Sequence, residues 1–173
     1  MILPYRNTIT STQLILDNRN YNTDSGDFKP NGFWYGIEDE WLNFWYENVL
    51  PVKYYVYDIT ITDDLFTTLD KPNKDKILIL KTRKDMITFY ETYHDVVFNE
   101  AHPVFSSIGK INWMLIVDLF GGIELLYEDP KGFTEDFSQK TFELFMWSST
   151  FDVKSGCIWS KEILDKITID LFK

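Results

Sequence analysis

A glutamate set in an apolar run is the residue of this chain best suited to chemistry. Glu124 stands in Gly122-Ile123-Glu124-Leu125-Leu126, a segment with the character of a strand. Side chains alternate along a strand, so Glu124 and Leu126 share one face while Ile123 and Leu125 share the other. The preceding Gly121-Gly122 lets a backbone or a ligand approach closely. A carboxylate that faces a cleft here can accept a hydrogen bond from a sugar hydroxyl and stabilise positive charge developing on a sugar ring. On alternation alone, a glutamate facing solvent from a half-exposed sheet is the simpler expectation. Arg6, in Tyr5-Arg6-Asn7, carries the planar fork that binds phosphate through paired hydrogen bonds, and it could equally serve a surface ion pair. Phe33-Trp34-Tyr35 offers rings for stacking on a planar base, with core packing as the competing use. Neighbours on a strand point to opposite faces, and Tyr35 is assigned to the cleft before Trp34.

Other chemistries lack their residues. Cys157 is the sole cysteine, with no histidine nearby in sequence and nothing that lowers a thiol pKa, so it reads as a buried structural residue. His94 and His102 do not match a zinc pattern. Neither a phosphate-cradling glycine motif nor a Gly-x-Ser-x-Gly elbow occurs.

The elements that must position these residues follow from patterning. Residues 3–8 and 13–16 read as short extended pieces, and 17–31 as a polar loop ending in Lys29-Pro30-Asn31-Gly32, with turn chemistry. Gly32-Phe33-Trp34-Tyr35-Gly36 follows as a strand. Ile37, Trp41, Leu42, Trp45 and Val49 fall at helical spacing, with Glu38, Asp39 and Glu40 in the first turn, where carboxylates oppose the helix dipole. Residues 52–61 alternate as a strand, 63–75 read as a loop, and 76–81 as a buried strand. Thr82 and Asp85 form a capping box for a helix bearing Met86, Phe89, Tyr90 and Tyr93. Residues 94–107 read as irregular. Asn112 caps a short helix that Gly121-Gly122 should end through left-handed geometry. A strand follows over 123–127, then a loop over 128–140 and a stretch of undecided type over 142–147. Residues 156–159 form another strand, Ser160 can cap a turn, and 167–172 make the last strand. Strands and helices mix without strict alternation, which indicates α+β.

Composition narrows the function. The net charge of −10 opposes non-specific nucleic-acid binding, which requires a Lys/Arg surface, and leaves a basic protein partner or simple solubility. One cysteine excludes an intramolecular disulfide framework. Neither a signal-peptide pattern nor an apolar run of membrane-spanning length is visible, so a cytoplasmic location is expected.

Four segments taken together resemble a known group. They are Tyr5-Arg6; Lys29-Pro30-Asn31-Gly32-Phe33-Trp34-Tyr35 followed by Asp39-Glu40-Trp41; Ile111-Asn112-Trp113 leading to Gly121-Gly122-Ile123-Glu124; and Ser155-Gly156-Cys157-Ile158-Trp159. Their order resembles small phage and bacterial proteins that are similar in turn to the ADP-ribosyltransferase-like fold, over most of the chain except 63–75 and 128–149. The resemblance implies a single α+β domain over residues 1–173, with split mixed or antiparallel sheets and flanking helices. Transferases of the Arg–Ser–Glu type carry an arginine on the first strand, a Ser-Thr-Ser-like strand and a later glutamate. Arg6, Phe33-Trp34-Tyr35-Gly36 and Glu124 stand in that order. The resemblance thus implies that NAD is the substrate, bound by Arg6, Trp34 and Tyr35, and that Glu124 is catalytic, with no metal. ADP-ribose would pass to an unknown macromolecular acceptor, expected to be a protein, in the manner of a phage effector or toxin acting in the host cytoplasm. The middle motif lacks serine and threonine, and Gly122 replaces the second acidic or amide residue of arginine-specific members. The alternative is a non-enzymatic acidic binding protein, such as a viral inhibitor of a host or defence protein. A weaker third option is a nucleotide-sugar or RNA-end-processing enzyme on the same fold.

Overall fold

The run Ile77-Leu78-Ile79-Leu80 is buried throughout, which requires cover on both faces of its sheet. The computed structural model supplies that cover. It describes residues 5–10, 14, 21, 29–48, 54–95, 110–126, 147–148, 151 and 153–172. Most of the expected extended piece at 13–16, most of the 17–31 loop, the segment 127–146, His102, Val49 and the side chain of Trp45 lie outside the described residues.

The elements are β1 (Arg6–Thr10), β2 (Phe33–Ile37), α1 (Glu40–Asn48), β3 (Tyr55–Thr60), a 3-10 turn (Asp63–Leu65), β4 (Phe66–Thr67), β5 (Asn73–Leu80), α2 (Arg83–Tyr93), β6 (His94–Asp95), β7 (Lys110–Ile111), α3 (Trp113–Leu119), β8 (Phe120–Leu125), β9 (Ser155–Ile158), α4 (Lys161–Leu164) and β10 (Thr168–Leu171). Eight strands form one mixed sheet in the order β10-β3-β1-β2-β9-β8-β5-β4, with β6 and β7 as a separate ribbon. The pairs β4–β5 and β5–β8 are parallel and the others antiparallel. This mixture agrees with the α+β expectation, in one continuous sheet rather than a split pair. Among the described residues, no helix is long and apolar enough to cross a membrane.

Connectivity forces this sheet to curl. β3 and β4 stand six strand spacings apart, roughly 29 Å if flat at about 4.8 Å each. The chain between them, Ile61 to Leu65, includes a 3-10 turn, and even fully extended residues add only about 3.5 Å each. The sheet therefore wraps around an interior. That interior holds Phe33, Tyr35, Ile37, Ile59, Ile61, Leu65, Ile77, Ile158 and Ile163. The outer face of β5, β8 and β9 packs under α2 and α3 through Leu78, Leu80, Phe89, Trp113, Ile116, Ile123 and Cys157.

Local signals explain most of the boundaries. Thr82 Oγ1 accepts from the Asp85 amide at 3.1 Å while Asp85 Oδ2 accepts from the Thr82 amide at 2.9 Å, which completes the capping box. Asn112 Oδ1 caps α3 through the Leu115 amide. The glycine expectation is overturned. Phe120 closes α3 in an extended conformation, and Gly121-Gly122 belong to β8 with no left-handed backbone. Space is the reason at Gly121, where a Cβ would lie 2.4 Å from both Ile163 Cδ1 and the Lys74 oxygen. Ile37 belongs to β2 rather than to the helix. The expected loop at 63–75 instead contains the 3-10 turn, β4 and the start of β5.

The turn from β2 to α1 places Glu38 in the left-handed region at φ 56°. Its amide donates to the Tyr5 oxygen at 2.7 Å, and its carbonyl accepts from buried Asn7 Nδ2 at 2.6 Å. A side chain with a Cβ is disfavoured there by about 1–2 kcal/mol. Glu38→Gly is expected to stabilise the protein by about 0.5–1 kcal/mol after glycine's own entropic cost. A rise in thermal midpoint measures it, and an unchanged or lower midpoint contradicts it.

Candidate functional site

Three strands deliver Arg6, Tyr35 and Glu124 to one point of the interior. Arg6 Nε donates to Glu124 Oε2 at 2.7 Å and Arg6 Nη2 donates to Oε1 at 2.8 Å, a two-pronged pair. Tyr35 Oη donates to the same Oε2 at 2.7 Å. The relative exposures of Arg6, Tyr35 and Glu124 are 2%, 0% and 0%, so the group is sealed from water.

The register shows how so long a reach is possible. Tyr35 on β2 and Glu124 on β8 both pair with Gly156 on the intervening β9. A Cβ on Gly156 would lie 2.2 Å from Tyr35 Cζ and 2.4 Å from its hydroxyl. The glycine therefore clears a channel in which the phenol lies across β9 to meet the carboxylate. The Arg6 guanidinium also sits 4.9 Å above the Phe66 ring. Phe66 is on β4, five strands away from β1 in the sheet order, so this contact exists only because the sheet curls.

Burial lowers the basicity of Arg6, but the hydrogen bonds and charge of Glu124 outweigh it and hold its pKa above the ordinary value. Burial, then the negative charge and hydrogen bond of Glu124, push the Tyr35 phenol well above its usual range, so it stays a donor. The Cys157 thiol is likewise pushed well up by burial, which removes it as a nucleophile at neutral pH.

Arg6, Tyr35 and Glu124, named from sequence, thus come together. Trp34 does not join them. It lies half-buried on the opposite face, edge-on to Phe151 at 5.2 Å and with the Lys29 ammonium 5.0 Å from its ring. Sequence reasoning missed Gly156 and Phe66. A glycine inside a strand pattern was the available signal for the first. Nothing local marks Phe66, which lies in the stretch read as a loop. The solvent-facing alternative for Glu124 is excluded by its burial.

Among the described residues, no three His, Cys, Asp or Glu side chains come together as metal ligands do. His94 Nδ1 instead contacts the Tyr90 oxygen at 2.8 Å. A shallow cavity of about 220 Å³ lies elsewhere, over Phe120, Gly121, Trp159 and Ser160. None of Arg6, Tyr35 or Glu124 lines it.

Removal of one charge should expose the cost of burying the other. Glu124→Gln leaves Arg6 without its counter-charge, and urea unfolding should show a loss of about 3–5 kcal/mol. The double change Arg6→Met with Glu124→Leu should recover most of it. A loss below about 1 kcal/mol for Glu124→Gln would match a surface pair instead.

Alkaline stability carries a second signature. Cys157 and Tyr35 both ionise later in the folded chain than in the unfolded one. Their contributions are complete below the unfolded values, about 8.5 and about 10, and are lost as pH rises beyond them. The melting temperature should fall progressively above about pH 8.5, more steeply above about pH 10, and Tyr35→Phe should soften the second fall. A Tyr35→Phe profile parallel to wild type contradicts this.

Comparison of the chain with protein-family models, with curated protein sequences and with solved structures gives no match.

Proposed function

We propose that the chain is an ADP-ribosyltransferase-like protein that cleaves NAD and passes ADP-ribose to a macromolecular acceptor. The observation that supports this reading is the meeting of Arg6, Tyr35 and Glu124, drawn from strands up to 118 residues apart. A buried ion pair adds little net stability over apolar side chains of similar volume. Stability alone therefore gives weak reason for an arginine, a glutamate and a tyrosine hydroxyl at one interior point, and chemistry gives a stronger one.

In this reading the guanidinium takes a phosphate of NAD, since its fork fits phosphate as well as carboxylate. Glu124 then accepts from the ribose hydroxyl and stabilises the positive sugar ring as the bond to nicotinamide breaks. Nicotinamide leaves with the bonding electrons, an acceptor nucleophile closes onto the sugar carbon, and the proton of that nucleophile passes to water. The Glu124 carboxylate is closed off at 0% exposure, so the proposal requires the Arg6–Glu124 pair to part as NAD enters.

That closure favours a second reading, a non-enzymatic acidic binding protein in which the three residues only hold the sheet in its curled form. Labelled NAD incubated with the protein and a cell lysate separates the two. The transferase reading expects label transfer or nicotinamide release by wild type and its loss in Glu124→Gln. Because that variant can also lose stability, Tyr35→Phe is the companion, expected to stay folded and to lower turnover roughly tenfold through one lost hydrogen bond to the carboxylate. No transfer and no release by the folded wild type would leave the binding-protein reading standing.

A further inference from the structure

Among the described residues, β10 ends the large sheet on one side and leaves its outer edge without a strand partner, away from Arg6, Tyr35 and Glu124. β10 is the terminal strand, paired on one side to β3 with Asp170 opposite Asp58 and Leu171 opposite Tyr57. The Phe172 amide donates to the Val56 oxygen at 2.8 Å, which sets the phase of the ladder. Antiparallel pairs alternate, so Thr168, Asp170 and Phe172 direct their backbone groups toward β3, while Ile169 and Leu171 direct theirs outward. Leu171 and Phe172 are 51% and 59% exposed, which leaves a rim of apolar surface beside those outward groups.

The described residues of β10 and the β3 positions opposite them carry two aspartates and no lysine or arginine. Asp58 and Asp170 are directly opposed on adjacent strands, an arrangement that like charges disfavour. Tyr5 donates its hydroxyl to Asp58, and neither aspartate has a salt-bridge partner among the described residues. A cation placed beside Asp170 from outside would relieve the repulsion. The whole chain, at −10, draws a basic partner and repels an acidic one.

The geometry points to β10 as a docking edge for an extended segment of a basic protein partner, added as a ninth strand. The partner strand takes the outward N–H and C=O groups of Ile169 and Leu171. Its lysine or arginine side chains fall on the face shared by Asp170 and Asp58, and its apolar side chains on the face of Leu171. A second copy of this chain is disfavoured as occupant, because it would bring its own Asp58 and Asp170 to the same row.

The test uses the full chain and a short synthetic peptide alternating lysine and valine, with a glutamate–valine peptide as counterpart. Saturable binding of the lysine peptide, with amide exchange slowed at Ile169 and Leu171, is expected. Leu171→Pro removes an outward N–H and leaves the bonds to β3 in place, as an edge proline can. It should weaken binding by about tenfold or more while the melting curve shows a folded protein, and Leu171→Val should bind as wild type does. Asp170→Lys should reverse the preference between the two peptides, whereas Asp118→Lys, an equal change of net charge at an exposed position of α3, should not. Equal weakening by Asp170→Lys and Asp118→Lys would reduce the effect to overall charge and overturn the proposal. So would a Leu171→Pro protein that binds like wild type, or sedimentation showing that this edge is occupied by a second copy.

Discussion

An ionic group inside a curled sheet is the constraint on which the rest of this structure depends. The Arg6–Glu124 pair joins β1 to β8 over the two strands between them, and it survives in the interior only if each side finds its full set of partners. The carboxylate accepts from two guanidinium nitrogens and one phenol. The guanidinium face lies on Phe66. Gly156 must stay without a side chain for the phenol to cross β9, and β4 must come round to β1 for the ring to reach the arginine. Register, curl and side-chain size are thus coupled through one charge pair. A slip of one residue in β8 would turn Glu124 to the helix-covered face among Leu78, Trp113 and Ile116, where an unpaired carboxylate is costly.

Elements whose causes are local were legible in the sequence. Thr82 with Asp85, Asn112 before Trp113, and the apolar run at 77–80 each carry their reason within a few residues, and each stands in the structure as expected. Arg6, Tyr35 and Glu124 were also named from the sequence, and the structure brings them together. Their burial was not legible. Strand alternation says only that Glu124 shares a face with Leu126, and a single acid in such a row ordinarily signals the wet face. What reverses that signal is an arginine 118 residues away. Gly121-Gly122 misled for a similar reason. Glycine after a helical pattern suggests a left-handed cap, yet here the absent Cβ answers crowding from Ile163 and Lys74, residues distant in sequence.

The same pair sets the terms for any chemistry at this point. An ion pair held by two hydrogen bonds in a dry interior does not open for a ligand that offers less than it gives up. A phosphate can replace the carboxylate on the arginine, because both present two oxygens to the same fork. A ribose hydroxyl alone cannot replace the arginine on the carboxylate, since it brings one neutral donor in place of two charged ones. Under the proposed NAD chemistry, opening would therefore begin at Arg6, with Tyr35 as the donor that stays with Glu124 while the guanidinium leaves.

The interior and the rim resolve the excess of acid in opposite ways. Glu124 is neutralised by design of the fold, with every partner supplied by the chain itself. Asp58 and Asp170 stand on a single face at the β10 edge of the sheet, where Tyr5 donates its hydroxyl to Asp58. Water can screen that repulsion, so the fold tolerates it, but burial by a neighbouring strand could not proceed without a cation. An edge that is apolar, unpaired in its backbone among the described residues and acidic on one face would discriminate between strands that add to it. An acidic or neutral strand would leave the two aspartates desolvated and unpaired, and a basic one would satisfy them, so under the docking proposal the same feature would act both as a barrier to indiscriminate pairing and as a determinant of partner choice.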